Sequence, residues 1–379
     1  MESWSVHHLN QEANKTLTEN EADSLSLYAR KLIAKNLPVI FTLKHFSEIV
    51  DRDYSFLRNT VEKRREVNNY KMFSIRKRSG GRRFIHAVSG QLLPVQQWIN
   101  SEILQKLAPH DSSFAFNSKG GIKECAALHC GAKWIFKFDI ANFFYCINEM
   151  DVFKVFLSAG YHPLIAFELS RICTTTRLPI HLNKYLRTNI CFSKEYNFYN
   201  SSNRNVGVLP QGGASSPMIS NLVAFELDEK LSEYALMNGF TYTRYADDLT
   251  FSCVKLPSKK SVRKIQFEIT RIMRASGFLE NESKTSVAGP GARKMVLGLL
   301  VDGEQPRLSK QTYKKLDRYF YSIEKFGLVQ VAKHEKFDSV FGFFNHLNGY
   351  VSYVKSVDLS RGNEFSERMK KIIPQWTQI

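Results

Sequence analysis

A mixed α+β fold is what this chain predicts, and three observations carry it. Stretches rich in β-branched and aromatic residues read as hairpins at Tyr70–His86 and Tyr242–Phe251 and as one strand at Trp134–Asp139. Between them lie longer segments with apolar residues at helical spacing. The 379 residues, 43% of them hydrophobic, are too many for one small core and suit a multi-lobed domain or two to three subdomains.

Taken in order, residues 1–50 are polar and then helical, with Leu25, Leu27, Leu32 and Ile33 marking one helix and Thr42–Val50 a second. Glu48 to Val67 reads as a continuing charged helix. In the Tyr70–His86 hairpin, Ser79, Gly80 and Gly81 supply the turn. Arg76, Lys77, Arg78, Arg82 and Arg83 flank it; such a run suits a solvated face, or a clamp whose guanidinium forks match triphosphate oxygens. Leu92 to Leu107 is an amphipathic helix buried through Trp98, Ile99, Ile103, Leu104 and Leu107. A glycine-containing loop then leads through a short helix to His129, a residue that fits a helix face better than a ligand role.

Helices follow over 151–173, with Gly160 as a stop, and then a polar, turn-rich insertion over 174–206. The loop Val208–Pro217 holds Gly212 and Gly213, which let Gln211 and backbone amides approach a planar or anionic ligand, and a helix runs on through Leu231. After the second hairpin, Ser261–Ser276 is an amphipathic helix, and Met295–Gly303 is two short strands around a glycine turn. From Ser309 onward the chain is helical and basic, with aromatics interleaved from Tyr313 to Tyr353, a pattern that suits a groove tracking a nucleic-acid backbone, though most of these rings belong to a core.

The formal net charge of +17 points to a polyanionic partner, nucleic acid first. No apolar run is long enough to span a membrane, so no membrane partner is expected. No export or transit signal opens the chain, and the six cysteines form no Cys-x-x-Cys pair, so free thiols in a reducing cytoplasm are expected.

The chemistry concentrates in acidic residues. Asp247 and Asp248 sit at a hairpin tip, where two carboxylates repel unless a cation or water screens them. Alone, the pair is as well explained by a solvated turn. A third carboxylate, Asp139, at the end of an apolar strand changes that reading. A strand-end Asp beside an Asp pair is what a site for two Mg²⁺ ions about 4 Å apart needs in nucleotidyl transfer.

In order, the chain carries the basic hairpin ending Gly81-Arg82-Arg83-Phe84-Ile85, then Phe138-Asp139 with Phe143-Phe144, Leu209–Pro217, Tyr245-Ala246-Asp247-Asp248, Lys284-Thr285, and Val296-Leu297-Gly298-Leu299. This series resembles the reverse transcriptases of bacteria, and among them the retron enzymes, strongly over about residues 70–300. The resemblance implies a right-hand polymerase of fingers, palm with antiparallel sheet, and helical thumb. Its parts would be an N-terminal helical extension (1–50), fingers with the start of the palm (51–130), the first catalytic palm strand (131–150), fingers and palm helices with the insertion (151–206), palm (207–303) and thumb (304–379).

The resemblance further implies that Asp139, Asp247 and Asp248, with the Ile140 carbonyl, hold two Mg²⁺ ions. Lys77, Arg82, Arg83, Phe143, Phe144, Gln211 and Gly212 would bind the incoming dNTP, Phe144 as the gate against a ribose 2′-OH. Lys284 would be a catalytic residue near the leaving pyrophosphate, and Val296, Leu297, Gly298 and Leu299 the primer grip. The implied partners are a cognate non-coding RNA, its short DNA product, and a separately encoded effector in phage defence, since no nuclease or toxin domain is visible before Ile379. Two positions depart from the retron pattern: Cys125 replaces the Asn of Asn-Ala-x-x-His ending at His129, and Leu297 replaces the Thr of Val-Thr-Gly. The alternatives are a defence-associated reverse transcriptase outside the retron group, or a catalytically silent RNA-binding module.

Overall fold

The computed structural model describes residues 5–76, 80–118, 120–179, 181–182, 206–257 and 261–376, the last four without their side chains. Lys77, Cys191 and most of the 174–206 insertion lie outside the described residues. The chain opens with α1 (Val6–Ala13), α2 (Glu19–Ala34), α3 (Leu43–Ile49), α4 (Tyr54–Val61) and α5 (Glu66–Asn69). The continuous helix expected over Glu48–Val67 is therefore broken. Asp51 (φ 50°) and Lys63 (φ 62°) take left-handed backbone, which ends a helix without a glycine signal.

Strands β1 (Tyr70–Arg76) and β2 (Arg82–Val88) pair as the expected hairpin, with Gly80 and Gly81 at positive φ. Helix α6 (Leu93–Glu102) is shorter than expected and passes into a 3₁₀ turn over Leu104–Lys106. Then come α7 (Ile122–Ala127), β3 (Trp134–Asp139), α8 (Phe143–Cys146), α9 (Glu149–Ala159) and α10 (Pro163–Cys173). Gly160 at φ 114° caps α9. The helix expected through Leu231 is two, α11 (Ser216–Val223) and α12 (Phe225–Asn238), offset at Ala224.

Strands β4 (Thr241–Tyr245) and β5 (Asp248–Cys253) form the second hairpin, followed by α13 (Val262–Ala275), β6 (Ser286–Ala288), and the two-residue strands β7 (Met295–Val296) and β8 (Leu299–Leu300). Helices α14 (Lys310–Phe326), α15 (Leu328–His334), α16 (Val340–Val357) and α17 (Leu359–Trp376) close the chain. Tyr319, Phe320 and Phe343 are core, while Tyr321, Phe326 and Phe341 are exposed. The five described cysteines are free thiols, and no described helix is long and apolar enough to cross a membrane.

A four-stranded antiparallel sheet, ordered β4-β5-β3-β6, organises the molecule. Strand alternation gives it two unlike faces. Phe136, Phe138, Tyr242, Leu249 and Phe251 point one way and pack with Tyr234, Phe240 and Phe278 in the main apolar core, with Tyr242 and Phe251 stacked 4.6 Å apart. The other face carries Ile135, Lys137, Asp139, Thr243, Asp248, Thr250 and Ser252. Its lower end is roofed by α7: His129 Nε2 meets Thr243 Oγ1 and Nδ1 meets Ser252 Oγ, each at 2.7 Å. Burial drives the pKa of His129 down to about 4, so it is a neutral brace, set in the turn that follows α7 rather than on the expected helix face. A second apolar cluster joins Ile135 and Ala126 to Val296, Leu299 and helices α14–α17.

Within the aromatic face sits one fully buried cation, Arg244. Its Nε and Nη2 fork onto Asp228 at 2.8 and 2.6 Å, and the remaining N–H groups reach Asn221 Oδ1, Ala246 O and Ser113 Oγ. Arg244→Met would leave Asp228 buried without a counter-charge. It is expected to cost about 3–5 kcal/mol in urea unfolding, and Asp228→Leu added to it is expected to recover part of that loss. A single variant as stable as the native chain would contradict this.

Candidate active site

The carboxylates meet through strand pairing. Asp139 at the end of β3 and Asp248 at the start of β5 are register partners, and Asp247 occupies the turn just before. The two-residue turn places Ala246 at φ 55°, a conformation an alanine holds only when its surroundings impose it. Here Arg244 Nη1 grips the Ala246 carbonyl at 3.1 Å, and the Ile140 N–H donates to the Asp247 carbonyl at 2.9 Å. Asp139 is nearly fully buried. Its Oδ1 accepts from Asn281 Nδ2 at 3.0 Å and its Oδ2 from Lys284 Nζ at 2.5 Å. Asn281 also donates its backbone N–H to the Asp139 carbonyl.

Burial, then the Asp139 charge, raises Asp247, while Lys284 and Arg83 pull against that rise. Asp248 is pushed up to about 6 by burial of its surroundings, then by Asp247 and Asp139. Burial works against the charge on Lys284, but the hydrogen bond and charge of Asp139 outweigh it and raise the ammonium's pKa. Among the described residues no three His, Cys, Asp or Glu side chains close around one point. The Lys284 ammonium instead lies against Asp139. Carboxylate oxygens are nevertheless the donors that hard divalent cations take, and the mutual repulsion of these three is what such a cation relieves. The donor set fits divalent metal.

Arg83 lies on the exposed hairpin yet acts on Asp247, so it faces the carboxylates. Arg82, its neighbour, has Nη1 3.4 Å from Ser74 Oγ, which places it beside β1. Phe143 is buried in the core, 6.0 Å from Phe278 and under the Arg244 guanidinium. Phe144 is half-buried, packed against the main core with its ring 5.8 Å from Phe143. The Gln211 carbonyl accepts the His86 N–H at 2.8 Å, laying the loop along β2. Gly212 (φ 119°) is needed there because a Cβ would stand 2.6 Å from the His86 carbonyl. The close approach it permits is to the hairpin. Val296 and Leu299 are buried, and the turn between them is Leu297 (φ 49°) and Gly298 (φ 84°).

Three residues at this site carried no sequence signal of their own. Asn281 orients Asp139. Tyr145 donates to the Phe84 carbonyl at 2.6 Å, tying α8 to the basic hairpin. Gln96, fully buried on α6, donates to Tyr70 Oη and the Ile172 carbonyl and accepts from Ala214 N, fixing the glycine loop from behind. A Gln among the apolar positions of a helix was the one available hint.

Because the folded state raises Asp248 from 3.8 to about 6, it binds that proton more tightly than the unfolded chain does. Stability tied to this group is therefore undiminished below pH 4, falls as the pH climbs toward 6, and stays reduced above. Asp248→Asn is expected to stabilise the ion-free protein at pH 7.5, by about 1 kcal/mol after solvent screening, with no gain at pH 4. Thermal melts at the two pH values in chelator check this, and an equal shift at both would refute it.

The sequence profile of the reverse transcriptase (RNA-dependent DNA polymerase) family matches residues 75–311. Retron Ec86 reverse transcriptase of Escherichia coli is 29% identical over 76% of this chain and 77% of its own. Retron Mx65 reverse transcriptase of Myxococcus xanthus is 28% identical over 98% and 81%, and retron Ec73 reverse transcriptase of Escherichia coli 29% over 76% and 83%. A solved telomerase from Candida albicans aligns with a TM-score of 0.38 at 12% identity, over 80% of this chain and 63% of that one. With its palm-like sheet, its paired catalytic-type carboxylates and this match over most of its length, the chain belongs to the reverse transcriptase family, the RNA-dependent DNA polymerases, and is of the retron-like bacterial kind.

Proposed function

We propose that this protein synthesises a short DNA on a cognate non-coding RNA, starting from an RNA 2′-OH, in the cytoplasm and in the service of phage defence with a separately encoded effector. The observation that carries the catalytic part is the register pairing of Asp139 with Asp248, with Asp247 beside them. The similarity to retron enzymes supports the finer part. Cys125, which stands where the retron pattern has Asn, engages Thr243 Oγ1 through its thiol at 3.3 Å, next to His129 on the same hydroxyl.

In this reading Asp139, Asp247 and Asp248, with the Ile140 carbonyl, hold two Mg²⁺ ions. When bound, the ions lower the pKa of the attacking hydroxyl and neutralise the triphosphate. Arg83 takes triphosphate oxygens of the dNTP, and Lys77 and Arg82 on the same hairpin assist. Phe144 closes the sugar pocket to a 2′-OH, and Gln211 and Gly212 border the nucleotide. Lys284 keeps its proton at neutral pH through Asp139 and supplies it to the leaving pyrophosphate. Val296–Leu299 supports the primer. The chain divides into an extension over 1–50, fingers with the start of the palm over 51–130, the first palm strand over 131–150, fingers and palm helices with the insertion over 151–206, palm over 207–303 and thumb over 304–379.

Asp247→Asn is expected to lower dNTP incorporation about a hundredfold or more. RNA binding should hold within about twofold, because phosphate contacts elsewhere on the basic surface carry it. Loss of both together would make the site structural. The nucleic acid that co-purifies from cells carrying the native locus tests the retron reading. A short DNA joined to RNA through a bond that debranching enzyme cleaves supports it, and DNA without a branch, or joined to protein, overturns it.

A further inference from the structure

Lys137 stands one register step below the catalytic carboxylates. It shares a sheet face with Asp139, and its strand partners are Thr250 on β5, buried beneath the segment that carries His129, and Ser286 on β6, which is exposed, so the approach to Lys137 is from the β6 side. It is half-buried, and among the described residues its ammonium makes no hydrogen bond or ion pair; Asp248 attracts it only at longer range. A half-buried cation with unused donors is costly unless an anion arrives. The next residue down the same face, Ile135, belongs to the apolar cluster that holds Val296 and Leu299 of the β7–β8 hairpin. Lys137 therefore lies between the carboxylates and that hairpin. Two strand residues cover about 6.6 Å, close to the spacing of successive phosphates in a nucleic-acid strand.

We propose that Lys137 binds a backbone phosphate of the strand that carries the reacting hydroxyl, one nucleotide behind the carboxylates. The proposal rests on the polymerase reading above. It makes Lys137 a substrate-binding residue that sets how far the strand end reaches into the site, as distinct from a counter-charge for Asp248. A phosphate contact of this kind is independent of base sequence and sensitive to salt.

The test measures binding of a labelled primer–template hybrid by anisotropy across a potassium chloride series, an assay that needs no catalysis. Lys137→Met and Lys137→Gln are each expected to bind about tenfold more weakly at low salt and to lower the slope of log Kd against log salt by about one, with Lys137→Arg restoring both. In primer extension, KM for the hybrid should rise while KM for dNTP and the divalent-ion requirement stay as in the native enzyme. An unchanged Kd and salt slope in the folded variants would overturn the proposal. So would a change confined to the divalent-ion requirement, which is the signature of a counter-charge. Native protein that binds the hybrid but does not extend it would count against the polymerase reading, while the binding series would still decide on Lys137.

Discussion

Arg244 is the side chain on which the palm sheet depends. A guanidinium carries five N–H donors and cannot lose its charge, so burying it fully is tolerable only when every donor is met. Here the partners come from four separate places: Asp228 and Asn221 on the helices behind the sheet, Ser113 in the loop before α7, and the Ala246 carbonyl in the β4–β5 turn. Tyr242 adds its hydroxyl to the same Asp228 oxygen. The fork onto Asp228 fixes the helix layer against the sheet, and the contact with Ala246 fixes the turn that presents Asp247. A constraint built for packing thus reaches the front of the site in one residue.

The other constraint is the pleat. With a period of two, Phe136 and Phe138 go into the core while Lys137 and Asp139 go to the open face, and β5 repeats the pattern in antiparallel register. No loop has to be placed for Asp139 and Asp248 to meet. What loops and short elements add is control of the rim. Asn281 and Lys284 close on Asp139, Tyr145 fastens the basic hairpin, and Gln96 supports the glycine loop. Three non-glycine residues at positive φ, Asn142 before α8, Ala246 in the β4–β5 turn and Leu297 in the β7–β8 turn, mark places where the chain changes direction within one residue.

The parts of this arrangement that could be read in the sequence are those encoded over short distances. The strand ending in Asp139, both hairpins and the Gly160 stop each rest on neighbours in the chain, and the structure has them. The misread parts depend on contacts far apart. Asn281 meets a residue 142 positions away and Gln96 one 76 positions away, and neither residue type advertises such a partner. Arg244 was hidden inside a motif valued for its acids. The helix breaks at Asp51 and Lys63 carry no glycine, and tertiary packing imposed them. Gly212 was read for a close approach, and in the structure its lack of a Cβ admits the His86 carbonyl of β2.

The same economy governs the described residues that flank the 174–206 segment. Glu149, fully buried, accepts from Arg171 Nη1 and Thr174 Oγ1 at 2.9 Å and from the Gly207 N–H at 3.2 Å. Lys63, buried against the same group, donates to the Arg171 and Thr174 carbonyls. Glu66 binds Thr175 and the Thr176 N–H, and Thr175 pairs with Val208 through two backbone hydrogen bonds. Buried charges that satisfy one another so completely contribute specificity of placement more than stability. Their effect is to pin residues 174–176 to 207–208, and the Gln211 loop, only three residues past the pin, is thereby held to its seat on β2.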